Sequence, residues 1–200
     1  MATLLLSLLL GYLLGAIPSA AIVARWQGRQ IFEVGSGNMG AINTARHLGV
    51  GWGLLVLAVD IGKGALATYL AALLTADSPW SLAASYAAGV GAVAGHAWSV
   101  FVGFRGGKAL ATAFGVALIL MPLGGLAALV LGTALLLLLR RSSLATVITA
   151  LLYPLLIWAV SSTGATPETT LTAVLSTSLI TAVVIIKQLP SLRRTAPHRL

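Results

Sequence analysis

The sequence predicts an all-α integral membrane protein, a single polytopic domain over residues 1–200 with seven transmembrane helices, its amino terminus outside and its carboxyl terminus in the cytoplasm. Three observations predict it. Of the 200 residues 58% are apolar and only 8% charged, and the mean hydropathy is +1.01, which excludes an ordinary soluble domain. The apolar residues lie in runs, most of them long enough to cross a hydrocarbon core of about 30 Å. Most of the charges lie between those runs, and the cations among them gather on one side. With seven spans, Arg25, Arg29, Arg46, Arg105, Lys108, Arg140, Arg141, Lys187, Arg193, Arg194 and Arg199 share one side, while Asp77 and Glu168 take the other, as the positive-inside rule requires. The net charge of +8 therefore points to topology and anionic lipid, not to nucleic acid. With no cysteine, disulfide, thiolate-metal and cysteine-nucleophile chemistry is excluded. His47, His96 and His198 lack the spacing of metal ligands.

The first span runs from 3 to 24 and carries Gly11 and Gly15 at small-xxx-small spacing, with Pro18 as its kink. No Lys or Arg precedes it, so it reads as a retained span and not a cleaved leader. A polar loop over 25–49 leads into the second span, 51–75, which holds Asp60 and Lys63 three residues apart on one helical face. The third, 80–100, is rich in Ala and Gly and ends near His96; a glycine-rich basic loop, Gly103-Phe-Arg-Gly-Gly-Lys108, follows. Residues 109–139 are apolar throughout. A break at Pro122 gives spans of 109–121 and 123–139 and keeps Arg140 and Arg141 with the other cations; one long helix would place them on the opposite face. The fourth span is then short for a bilayer, which implies local thinning or shielding by neighbouring helices. Spans of 144–162 and 169–186 and a basic tail over 187–200 complete the chain.

Function concentrates in Gly35-Ser-Gly-Asn-Met-Gly-Ala-Ile-Asn-Thr-Ala-Arg46. Three glycines, two asparagines, a serine and an arginine offer backbone N–H groups, amide donors and a cation, an inventory suited to phosphate. Gly35, Gly37 and Gly40 also spell the dinucleotide fingerprint, with Asp60 at a fitting distance, but that motif needs a βαβ unit and here it lies between bilayer-length runs. Likewise Gly106-Gly107-Lys108 fails as a P-loop, since Val102 and Ala109 stand where Gly and Ser or Thr are needed. Spans two, four and six start on the same side, so their positive dipole ends meet Arg46, Lys108 and the Arg140-Arg141-Ser142-Ser143 segment, and together these form an anion site. Asp60 and Lys63 are either functional intramembrane charges or a pair that locks helices. His96 is either a general base or a hydrogen bonder at a helix interface.

Three segments, Gly35 to Arg46, Asp60-Ile-Gly-Lys-Gly64 and Gly95 to Lys108, with Ser143-Leu-Ala-Thr146, resemble the signature segments of bacterial acyl-phosphate:glycerol-3-phosphate acyltransferases, the PlsY family. The resemblance covers nearly the whole chain. It implies an enzyme of the bacterial inner membrane, facing the cytoplasm, that moves a fatty acyl group from acyl phosphate to the 1-hydroxyl of glycerol 3-phosphate, giving lysophosphatidic acid and phosphate. It implies no metal or cofactor, and a soluble partner that makes acyl phosphate. Ser36, Asn38, Asn43, Arg46, Lys108 and Ser143 would bind the phosphates and glycerol, the amides of Gly37, Gly40, Gly106 and Gly107 would join them, and Arg46 and Lys108 would stabilise the leaving phosphate. Ser36, Arg46, Lys108 and His96 are the expected catalytic set, with Asp60 and Lys63 in support.

One segment departs from the family. Its carboxyl end reads like His-x-x-Asn-Ile-x-Arg-Leu, whereas this chain has Gln188 and Ser191 at the histidine and asparagine positions. Glutamine cannot act as a general base, which leaves His96 or a substrate phosphate oxygen to take the hydroxyl proton. A rival of another class, a transporter or channel for a small phosphorylated or anionic solute, suits the Asp60/Lys63 pair. Against it, nearly all the polar groups sit on one face instead of at the midplane.

Overall fold

The computed structural model describes residues 1–162 and 164–194. The described residues form nine α-helices and two short 3-10 turns, at Ile31–Glu33 and Val100–Val102. Helices α1 (Ala2–Ala16) and α2 (Ser19–Trp26) together make the first apolar segment. Proline cannot donate a backbone hydrogen bond, so Pro18 breaks the ladder between them. The freed carbonyls find other donors: Ser99 Oγ donates to Ala16 O, and Lys63 Nζ to Ile17 O at 3.0 Å.

A short helix, α3 (Ala41–Leu48), lies inside the stretch that the sequence reads as loop, and Gly49 turns it into α4 (Val50–Leu74) at φ 115°. Then come α5 (Ser81–Ala97), α6 (Leu110–Leu120), α7 (Pro122–Leu139), α8 (Ser142–Ser161) and α9 (Pro167–Arg194). The helix does break at Pro122, between α6 and α7. Five segments are long and apolar enough to cross a membrane: Ala2–Trp26, α4, α7, α8 and α9, the last as far as Leu192. The other three helices are shorter, α3 with 8 residues, α5 with 17 and α6 with 11.

The expected tail from 187 is helical as far as Arg194, because α9 tolerates Pro190. Lys187 and Gln188 are tied into the body: Lys187 Nζ donates to Ala97 O at 2.8 Å, and Gln188 is 2% exposed. Pro197, His198 and Arg199 lie outside the described residues.

Glycine governs the packing, as close approach between helices in a lipid solvent requires. On α1 a Cβ at Gly11 or Gly15 would collide with Ala88 or Ala92 of α5, and one at Gly91 or Gly95 with the backbone of Leu8 or Tyr12. Gly64 and Gly115 bring α4 and α6 together in the same way. Helix α4 also packs on α1 and α5, so the two pairs form one block, which α7 meets at α6 and α9 at α5.

Candidate active site

The loop from Gly35 to Gly40 is held open by one side chain. Asn43, in the first turn of α3, donates from Nδ2 to Val34 O and Asn38 O, both at 3.0 Å, and accepts at Oδ1 from the Ser36 amide (3.1 Å) and Ser36 Oγ (3.2 Å). These four bonds engage its whole amide, and the residue is buried. Asn43 therefore shapes the loop from within. Gly35 and Gly37 take φ of 55° and 65°, conformations a side chain resists. A Cβ at Gly35 would also strike the His47 ring. Ser36 is left exposed, and Gly37, Asn38 and Gly40 half-buried.

The second loop docks on the first. Its Gly107 amide donates to His96 O at 3.2 Å, and Gly106 and Gly107 lie flat against the end of α5. A Cβ on Gly106 would meet the His96 and Ala97 carbonyls, and one on Gly107 would meet the His96 ring and, at 2.7 Å, Met39 O. Gly107 thus joins the two glycine-rich loops through Met39, which is fully buried. Arg105 stacks its guanidinium on Phe32 at 3.8 Å. Lys108 is half-buried, and burial pushes its ammonium below the ordinary value of 10.5. Neither Lys108 nor Arg46, exposed on the last turn of α3, has an acidic partner among the described residues.

Beneath the loops lies a closed polar knot. Asp60 Oδ1 accepts Ser19 Oγ at 2.6 Å and faces Lys63 Nζ at 3.0 Å and His96 Nδ1 at 3.5 Å. Asp60, Lys63 and His96 are 1%, 5% and 3% exposed. The Asp60/Lys63 pair expected from sequence is present, and Ser19 and His96 complete it. His96 lies buried at a helix interface, with Nδ1 3.5 Å from Asp60 but without a hydrogen-bond partner among the described residues and with the other ring edge on Gly107.

The third element of the site is α8. Its cap residue is Arg141, Arg140 closes α7 at φ 52°, and both are exposed, whereas Ser143 is buried. Below Ser142 an apolar cavity of about 350 Å³ runs between α6, α7, α8 and α9. Sequence reading missed it, since no single segment spells it. Each polar segment nonetheless contributes a wall at the mouth: Ile42 from the helix of Arg46, Leu110 two residues after Lys108, and Ser142 beside Ser143. Lining residues Leu110, Leu129 and Leu136 are 45%, 51% and 42% exposed, so the cavity is also open sideways. Among the described residues no three His, Cys, Asp or Glu side chains gather as a metal site would.

Comparison with known proteins places this arrangement. The family model described as glycerol-3-phosphate acyltransferase matches residues 5–197. A Deinococcus radiodurans protein named glycerol-3-phosphate acyltransferase 1 is 52% identical over 132 residues, 66% of this chain and 65% of that one. A Dehalococcoides mccartyi protein of the same name is 44% identical over 160 residues, 76% and 75% of the two chains. Two crystal structures of PlsY, an integral membrane glycerol 3-phosphate acyltransferase, are 30% identical. The glycerol 3-phosphate form superposes with a TM-score of 0.80, covering 98% of this chain and 95% of that one. The lysophosphatidic acid form does so at 0.78, covering 96% and 90%.

Proposed function

The chain belongs to the glycerol-3-phosphate acyltransferase family, and from that premise we propose that it moves a fatty acyl group from acyl phosphate to the 1-hydroxyl of glycerol 3-phosphate, releasing phosphate and lysophosphatidic acid. One observation carries this reading. The segments that carry the cations without partners also line the apolar cavity, at Ile42 near Arg46 and Leu110 near Lys108, with Ser142 beside them, an arrangement suited to a molecule with a phosphate head and a hydrocarbon tail. The sideways opening lets the tail arrive from lipid. That arrangement favours an acyl donor over the small anionic solute of a transporter.

The chemistry asks little of the protein beyond placement and charge. Acyl phosphate is an activated acyl donor, so holding the glycerol hydroxyl against the acyl carbon supplies much of the rate. The new bond joins the glycerol oxygen to the acyl carbon, the bond from that carbon to the phosphate oxygen breaks, and phosphate departs with the electron pair. Arg46 and Lys108 stabilise the developing charge, with the amides of Gly37, Gly40, Gly106 and Gly107 as further donors. Ser36, Asn38 and Ser143 orient the two phosphates and the glycerol, while Asn43 fixes the loop. Ser36 Oγ faces an amide oxygen and not a base, which supports direct attack over an acyl-serine. The hydroxyl proton passes to a phosphate oxygen, since His96 is buried against Asp60, away from the exposed loops, and acts as a positioning residue.

We place the protein in the bacterial inner membrane with seven spans, the amino terminus outside and the loops in the cytoplasm, on the strength of the charge distribution. At about 1.5 Å per residue α6 spans only about 17 Å, so it crosses with its ends sheltered by α4 and α7. A soluble enzyme that makes acyl phosphate supplies the donor. Purified protein given palmitoyl phosphate and glycerol 3-phosphate should release phosphate and form lysophosphatidic acid. A folded preparation that makes neither product overturns the reading, and solute accumulation in proteoliposomes would establish a transporter in its place.

A further inference from the structure

The apolar cavity has a mouth and a foot, and the two differ in construction. On α8 the lining residues Ser142, Ala145, Thr149 and Tyr153 follow one helical face. Helix α7 runs the opposite way beside it: the Cβ position of Gly132 lies 3.3 Å from Thr149 Oγ1, and that of Gly124 lies 3.7 Å from the Tyr153 hydroxyl. The mouth, at Ile42, Leu110 and Ser142, is bordered by the polar loops. The foot ends on two aromatic rings, Tyr86 of α5 and Tyr153 of α8. Behind them the protein is solid, because Tyr86, Ile157 and Ala173 are 3%, 0% and 2% exposed and form one packed cluster, with Leu120, Met121 and Tyr153 against it. Between mouth and foot the walls include small residues, Ala113, Ala117, Gly125, Ala128 and Gly132.

We propose that Tyr153, backed by Tyr86, is the residue that sets how long an acyl chain the enzyme accepts. This inference rests on the acyl-transfer reading above and deepens it. From Ser142 to Tyr153 is about 16 Å along α8 at about 1.5 Å per residue. An extended covalent chain advances about 1.2 Å per bond, taking a third of the roughly 3.5 Å span of one extended residue. The distance therefore holds about 14 carbons. A chain of that length reaches the ring with its terminal methyl, and a longer one has to fold back or leave carbons at the sideways opening. Each methylene that finds no room loses roughly tenfold or more in specificity, as is usual for apolar pockets.

The test is a competition assay on the full chain in bilayers or detergent, with glycerol 3-phosphate and a ladder of saturated acyl phosphates from roughly 8 to roughly 20 carbons, reading kcat/KM for each. In the unaltered protein the profile should peak near roughly 14 carbons, the reach of the cavity, and fall beyond it. Tyr153→Ala opens the foot and should raise the ratio of long-chain to mid-chain kcat/KM roughly tenfold, whereas Tyr153→Phe keeps the ring and should leave the profile in place. Ala128→Phe, halfway down α7, should move the optimum toward shorter chains. If Tyr153→Ala fails to fold, Ala128→Phe and Tyr153→Phe still decide. An unchanged profile in active Ala128→Phe, or in active Tyr153→Ala, overturns the proposal while leaving acyl transfer intact. A folded unaltered protein that makes lysophosphatidic acid from no donor overturns the acyl-transfer reading instead.

Discussion

Two groups of charged residues lie one helix end apart and obey opposite rules. In the knot below the loops, the buried charges meet partners within the protein: Asp60 holds Lys63, Ser19 and His96, and Lys63 also satisfies Ile17 O. At the loops above, Arg46 and Lys108 have cationic heads with no acidic neighbour among the described residues. A buried charge left alone costs several kcal/mol, so the knot has to be complete before any ligand arrives. A cation at the wet face tolerates being alone and is thereby available to an anion. Neutralised charge suits a scaffold, and unneutralised charge is why Arg46 and Lys108 are proposed as the anion site.

The sharpest way to break this comparison is to open the knot. Asp60→Ala strands Lys63 and should lower stability by about 3–5 kcal/mol, seen as a fall in thermal or denaturant midpoint. Asp60→Ala with Lys63→Met should recover much of that loss, and a single variant as stable as the parent would show that the knot is not structural. Removing the free cations should do the reverse. Arg46→Ala or Lys108→Ala should lower kcat/KM by roughly 10²–10³, the usual loss for a donor to a developing oxyanion, with the unfolding midpoint unchanged. Near-normal turnover in both would end the phosphate-site argument.

Smaller changes sharpen the boundary between the two groups. Gly107→Ala drives a methyl into the His96 ring and Met39 O, the seam that joins knot to loops, and should cost roughly tenfold in turnover and up to about 3 kcal/mol in stability. Because burial lowers the Lys108 pKa from 10.5, its cation is lost as pH rises through a value below that. The alkaline limb of kcat/KM, which reports the free enzyme, should therefore lie below 10.5 and move upward in Lys108→Arg; an unmoved limb would assign it elsewhere. Gln188→His should change turnover least, well short of the roughly 10²–10⁴-fold of a general base. A gain of that size would move the proton from the phosphate oxygen to α9.

The helices were legible because lipid demands long apolar runs, and the break at Pro122 followed from the charges of Arg140 and Arg141 alone. Helix α3 was not, because its eight residues alternate Asn43, Thr44 and Leu48 inward with exposed Ile42, Arg46 and His47, a pattern hidden among polar loop residues. Its signal was Gly40 just before Ala41, followed by apolar residues near helical spacing. The loop's inventory of amide donors, hydroxyl and cation was visible in its composition, yet composition did not separate Asn43, whose amide is engaged, from Ser36, which is exposed. Ser19 was overlooked although it follows the Pro18 kink. The cavity was illegible in principle, since it exists only where faces of four helices meet, and Tyr86 and Tyr153 become neighbours only there.

The Pro18 break also orders assembly in time. When the first apolar segment enters the bilayer it carries the Ala16 carbonyl without its Ser99 donor and the Ile17 carbonyl with only the Ser19 amide, because Lys63 and Ser99 have not yet been synthesised. Bare carbonyls in hydrocarbon are unfavourable by several kcal/mol each. The segment must therefore linger near water or a chaperoning surface until α4 and α5 arrive. Lys63 gains from the same meeting, since the carbonyl it covers shares with Asp60 the work of neutralising it. Nascent chains halted before α4 should hold the first segment loosely, and those extended well past Ser99 should hold it fast.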